Sequence, residues 1–117
     1  MQIIGSNNLV KLLRKNRGNK RLTEAAEQLR ADLEKACWRD RQDLQQERRD
    51  ADCVYEECIF FFDIHLHRVL ALVEYSGEDE DGTVMLLWAG SHSAYERTFK
   101  NNRNTIEKWL KDRNYIY

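Results

Sequence analysis

Three residue types that together can cleave RNA without a metal stand close in this chain. Gly90-Ser91-His92-Ser93-Ala94-Tyr95 sets an imidazole and a phenol three residues apart at the exit of an apolar run. Arg68 opens the apolar run before it. Attack of a 2′-hydroxyl on its own phosphodiester needs a base for the hydroxyl proton, a cation for the phosphorane and an acid for the departing 5′-oxygen. Histidine suits the proton work because its unperturbed pKa is about 6.5. Arginine suits the phosphorane because its planar fork holds two phosphate oxygens at fixed charge. Tyrosine can stack on a base and offer its hydroxyl.

Each of the three also has a plainer structural reading. His92 is a loop histidine open to solvent, Tyr95 a core aromatic, and Arg68 a cation paired with a carboxylate such as Asp63 or Glu74. Asp63, His65 and His67 recur at a spacing of two, which an unbroken strand would put on one face. That is a zinc arrangement His92 would complete. A turn within the segment would scatter them, and no cysteine lies at ligand spacing, so neither metal nor cofactor is expected. No P-loop, dinucleotide fingerprint or nucleophile elbow is present.

The elements that must position these residues can be read from periodicity. Ile3-Ile4 before Gly5 suggests a short edge strand. Ser6 or Asn7 can cap a helix bearing Leu9, Leu12 and Leu13, which ends at Gly18-Asn19. Over residues 20–37, Leu22, Ala26, Leu29, Leu33 and Ala36 recur at steps of four and three, predicting a second helix and hence a hairpin. Trp38 closes it as a core anchor. Residues 39–52 are polar and read as a loop or short exposed helix around Leu44.

Cys58–Ile64, Val69–Tyr75 and Thr83–Ala89 are β-branched and aromatic, predicting three strands. His65-Leu66-His67-Arg68 suits the first hairpin turn, and an acidic turn, Glu78–Asp81, follows the second strand. Strands apolar on both faces need cover on both. The helical hairpin supplies one side, and an uncovered remainder would be a partner surface. Asn104-x-x-Glu107 resembles a capping box for a basic terminal helix with Ile106, Trp109 and Leu110 on its apolar edge.

The 117 residues, 42% of them hydrophobic, suit one domain over 1–117 with a core of its own. No window approaches a membrane span, and the N-terminus lacks a signal-peptide layout, so a cytoplasmic location is expected. The three cysteines, Cys37, Cys53 and Cys58, form no C-x-x-C pair and read as ordinary reduced thiols. The net charge of −1 hides an uneven distribution. Residues 1–21 carry six Lys or Arg and no acid, residues 22–95 seven bases against seventeen acids, and residues 96–117 six bases against three acids. Both ends could hold a polyanion if the fold brings them together, or the basic residues merely solvate a helix and its turn.

Taken together, the segments resemble the HigB family of bacterial toxins within the RelE/ParE-like superfamily. The resemblance runs from Ala36-Cys37-Trp38 through Asp40-x-x-Asp43-Leu44 to Ala51-Asp52. It continues in Ile59-Phe60-Phe61-Phe62-Asp63-Ile64 and Arg68-Val69, and ends in Gly90-Ser91-His92-x-x-Tyr95-Glu96, similar to the family's G-T-H-x-x-Y-D signature. It implies an α/β (α+β) fold, with two N-terminal helices packed on a small antiparallel sheet and a C-terminal helix. It also implies an endoribonuclease that cuts mRNA on the ribosome and is silenced by a HigA-type helix-turn-helix antitoxin. Operator DNA would be reached only through that antitoxin.

Carried over by motif, Arg68 would hold phosphate, His92 would transfer protons, and Tyr95 would stack a base or orient. His65 and His67 replace the family's usual glycine-asparagine type turn and would at most contact RNA. Lys100 and Arg103, beyond the signature, are the basic residues expected on the RNA side. Two other readings remain: a toxin-fold protein that docks on a target such as gyrase without cutting, and an inactive relative. Glu78–Asp81 would weaken RNA binding if that turn lay beside the site.

Overall fold

The computed structural model describes all 117 residues. In chain order the elements are β1 (Gln2–Ile4), α1 (Asn7–Lys15), α2 (Lys20–Lys35), α3 (Arg41–Glu47), β2 (Asp52–Tyr55), β3 (Ile59–Ile64), β4 (His67–Glu74), β5 (Thr83–Ser91), α4 (His92–Phe99) and α5 (Arg103–Asp112). The architecture is α+β: five helices around one five-stranded sheet of order β1-β5-β4-β3-β2. All neighbouring pairs are antiparallel except β1 with β5, which is parallel.

Strand alternation separates two cores. Phe60, Phe62 and Ile64 of β3, Val69, Ala71 and Val73 of β4, and Val84 and Leu86 of β5 face α1, α2 and α3. Ile59, Phe61, Leu70 and Leu87 face the other way, against Tyr95 and Phe99 of α4 and Ile106 and Leu110 of α5. Full burial of each phenylalanine contributes about 1.5–3 kcal/mol, so both faces are needed to satisfy β3. The apolar remainder expected as a partner surface is therefore covered by the chain's own C-terminal helices.

α2 forms because Leu22, Ala26, Leu29 and Leu33 make one buried stripe with no glycine or proline inside it. Asn19 caps it by accepting from the Leu22 N–H. At its far end the Met1 ammonium donates to the Leu33, Glu34 and Ala36 carbonyls, closing groups that a helix end leaves open. Gly5 has φ +79°, and a Cβ there would stand 2.5 Å from the Leu86 carbonyl oxygen. That close passage lets Asn8 Nδ2 donate to the same oxygen at 2.7 Å and pin α1 to β5.

Several expectations are corrected. The C-terminal region holds two helices, because Lys100 and Asn101 take left-handed backbone and turn the chain between them. Asn102, not Asn104, caps α5, accepting from the Thr105 N–H. Ser6 makes no side-chain cap to α1. Of the two readings of residues 39–52, the short helix around Leu44 is the one found, over Arg41–Glu47, where Asp40 accepts from the Asp43 N–H and Leu44 is buried rather than exposed. The sheet is not purely antiparallel: β1 pairs in parallel with β5, and a further strand, β2, occupies the opposite edge. β5 continues two residues past Ala89, to Ser91.

Candidate active site

Across the β3–β4–β5 ladder, Asp63 pairs with Arg68 and Arg68 pairs with Gly90, so these residues share one end of the sheet. Alternation aims Arg68 at the face covered by α4 and α5. There its Nε donates to Asp63 Oδ1 at 2.9 Å, and Nη1 stands 3.6 Å from Asp52 Oδ2. The guanidinium carbon lies 4.8 Å from the Tyr95 ring centroid and 5.1 Å from that of Phe61. The side chain keeps 15% exposure, whereas both carboxylates are about half exposed. Arg68 is thus held in orientation by two rings and two acids, with its charge already answered.

Tyr95 is buried, and its hydroxyl donates to Asn101 Oδ1 at 2.9 Å. Burial pushes its phenol upward, and the Arg68 guanidinium opposes that shift. The phenol therefore keeps its proton at neutral pH, and its ring serves the guanidinium. Asn101 and Arg103 join Asp52 and Tyr95 around a recess of about 160 Å³. Arg103 also pairs with Glu107 at 3.8 Å on the exposed face of α5. Lys100 is exposed at the C-cap of α4 and makes no ion pair.

His92 is the first residue of α4, where the Ser91 hydroxyl accepts from the Ala94 N–H and sets the helix start. Its side chain is exposed, and its N–H donates to the Leu66 carbonyl at 3.3 Å. That bond ties α4 to the β3–β4 turn. The turn residues His65 and Leu66 both have positive φ, 34° and 63°. Left-handed backbone at two side-chain-bearing residues costs on the order of 1–3 kcal/mol each, and Leu66 gains no burial in return at 70% exposure.

His67 follows on β4, buried, with its Nδ1–H donating to the His65 carbonyl at 2.8 Å. The turn breaks the alternation that would have put Asp63, His65 and His67 on one face. No three His, Cys, Asp or Glu side chains gather in a metal-binding group.

Arg68 and Tyr95 are therefore in contact, and His92 heads the helix that carries Tyr95. Sequence reasoning named Asp63 as a partner of Arg68 but missed Asp52 and Asn101. Asp52 was visible only as part of the Ala51-Asp52 resemblance, and Asn101 only as a polar residue beside an apolar segment. The acidic turn Glu78–Asp81 lies beyond the far end of the β4–β5 ladder, about 20 Å along β4 from Arg68. Screening over that distance removes its repulsion. The largest hollow, about 920 Å³ beside α3, is lined by Asp40, Arg41, Arg49, Glu57 and three glutamines, a mixed-charge surface without an imidazole or thiol. No helix is long and apolar enough to cross a membrane.

Residues 22–98 match the family model for HigB_toxin, described as the RelE-like toxic component of a toxin-antitoxin system. The match spans α2 through α4 and includes Arg68, His92 and Tyr95. No curated protein matches the chain.

Proposed function

From the premise that the chain belongs to the HigB toxin family, and so is the toxin of a toxin–antitoxin system with an antitoxin partner, we propose that it is an endoribonuclease cutting mRNA on the translating ribosome. Its antitoxin is of the HigA helix-turn-helix type, through which alone operator DNA is reached. The observation that carries this reading is the Arg68 guanidinium against the Tyr95 ring, on the helix that His92 begins.

His92 takes the 2′-hydroxyl proton, and the 2′-oxygen bonds to phosphorus. The phosphorane rests on the free edge of Arg68. The P–O5′ bond then breaks, leaving a 2′,3′-cyclic phosphate and a 5′-oxygen that takes its proton from solvent at this open edge. Tyr95 orients Arg68 rather than stacking a base, since its ring is covered and its hydroxyl engaged. His65, Lys100 and Arg103 stand around the same end and contact the RNA.

The test is cleavage of a defined mRNA by purified protein, with and without ribosomes, beside growth arrest on expression. His92→Ala should lower cleavage by about 10²–10⁴-fold and relieve arrest. Arrest that persists in His92→Ala with intact RNA would remove the nuclease reading.

A second reading rests on Asp63 and Asp52, which together answer the charge of Arg68. In it the toxin docks on a target such as gyrase and cuts nothing. Supercoiling defects in expressing cells with intact mRNA would select it.

A further inference from the structure

Beside Gly90, on the α1 side of the same sheet end, the electrostatics reverse. α1, the end of β5 and α4 enclose an open groove of about 430 Å³. Lys11, Lys15 and Arg97 line it, and no carboxylate does. All three cations are exposed and none forms an ion pair. Lys11 and Lys15 are four residues apart on α1, so they present adjacent charges on one helix face.

The Trp88 indole forms part of the wall. It packs edge-on against Phe61 and Phe99 on one side and remains half-buried. His67 enters from β4. Its Nδ1 donates to a backbone carbonyl, so in the neutral ring Nε2 carries the lone pair. Nε2 makes no hydrogen bond within the protein, and His67 is part of the groove's lining.

We propose that this groove holds a single RNA strand next to the scissile linkage, with Lys11, Lys15 and Arg97 on backbone phosphates and Trp88 offering its indole to a base. Unpaired cations flanking an indole are the arrangement that holds single-stranded nucleic acid with little regard to sequence. The groove adjoins the candidate active site through the backbone: Gly90, in its wall, pairs with Arg68, and Ser91, also in its wall, precedes His92. A half-buried indole beside unpaired cations favours a nucleotide strand, whose bases can stack, over an acidic polypeptide. α1, with Lys11 and Lys15, lies outside the segment matched by the family, whereas His67, Trp88 and Arg97 lie within it. The choice of RNA as occupant rests on the nuclease reading above.

The experiment is fluorescence anisotropy with a labelled 2′-O-methyl oligouridylate of about twelve nucleotides, which cannot be cut, titrated across salt. Lys11→Glu with Lys15→Glu should weaken binding about tenfold or more. It should also lower the slope of log affinity against log salt by about 1.4, two contacts on a single strand. Lys20→Glu with Arg21→Glu makes the same charge change on exposed residues of α2 outside the groove, and should leave affinity within about twofold of the wild type.

Equal losses in both double variants, no loss in either, or no binding by the wild type would each overturn the proposal. So would binding of a decaglutamate peptide that depends on Lys11 and Lys15 while the oligonucleotide does not bind. If the groove variant still cuts a cleavable RNA with unchanged KM, the groove is wrong and the nuclease stands. Groove-dependent binding without cleavage, even with ribosomes present, leaves the groove and removes the nuclease.

Discussion

The nook around Arg68 and the groove along α1 are built from neighbouring residues of β4 and β5, yet they handle positive charge in opposite ways. In the nook, one guanidinium is pressed between two aromatic rings and answered by Asp63 and Asp52. In the groove, Lys11, Lys15 and Arg97 stand exposed with no counter-charge. A paired, half-buried cation has a defined direction but little long-range pull. Exposed, unpaired cations attract a polyanion strongly at low salt and lose that attraction as salt rises. The difference separates orientation from affinity, and the two regions meet at Gly90.

The sharpest way to break this comparison is Arg68→Ala. It should lower single-turnover RNA cleavage by about 10²–10³-fold, as loss of one oriented transition-state donor does. Binding of the uncut oligonucleotide should change by less than about threefold. A large loss of affinity would mean the nook, not the groove, holds the strand.

Gly90→Ala tests both regions at once. An added Cβ would stand 2.6 Å from the Trp88 ring and 3.2 Å from the Ala94 Cβ. The indole cannot swing freely because Phe61 and Phe99 pack against it. Thermal or urea unfolding should show a loss of about 1–3 kcal/mol. Binding and cleavage should fall together, whereas Lys11→Glu acts first on binding.

The smallest effect is expected from Asp63→Asn, which frees part of the Arg68 charge. The pair is partly exposed, so stability should shift by only about 0–1 kcal/mol. Oligonucleotide affinity should rise a few-fold, read by the same anisotropy titration. A fall in affinity would show that the carboxylate serves the RNA directly rather than restraining the guanidinium.

Much of the nook was legible because its signals are local. Arg68 stands at the start of one apolar run and His92 and Tyr95 just past the next, whereas the Ser91 cap and the helix that puts Tyr95 one turn below His92 emerge only in the fold. Asp63 was named as a partner because it sits just across a hairpin from Arg68. Asp52 was not, since its place depends on β2 adding to the far edge of the sheet, with an irregular register between Cys53 and Tyr55. Asp52 belongs to a segment whose polarity reads as loop.

The groove was legible only as an excess of bases at both ends, six with no acid over residues 1–21 and six against three acids over residues 96–117. Nothing local to Lys11 or Lys15 points to Arg97, which lies more than eighty positions away. Their meeting follows from β1 joining β5 in parallel, Gly5 passing close over Leu86, and Asn8 fastening α1 to that strand.

Periodicity along the chain determined which faces of α1, α2, β3, β4 and β5 are apolar and which residues stand at the signature. It determined that β3 must be covered on both sides. The pattern does not encode the identity of the cover, because any apolar stripe satisfies any other to first order. Tertiary structure decided that α4 and α5 close the second face, burying Tyr95 and confining Arg68 between rings and carboxylates. It also decided which cations remained without partners. That outcome depends on distances between residues remote in sequence, and Coulomb pairing falls off too quickly for composition alone to foretell it.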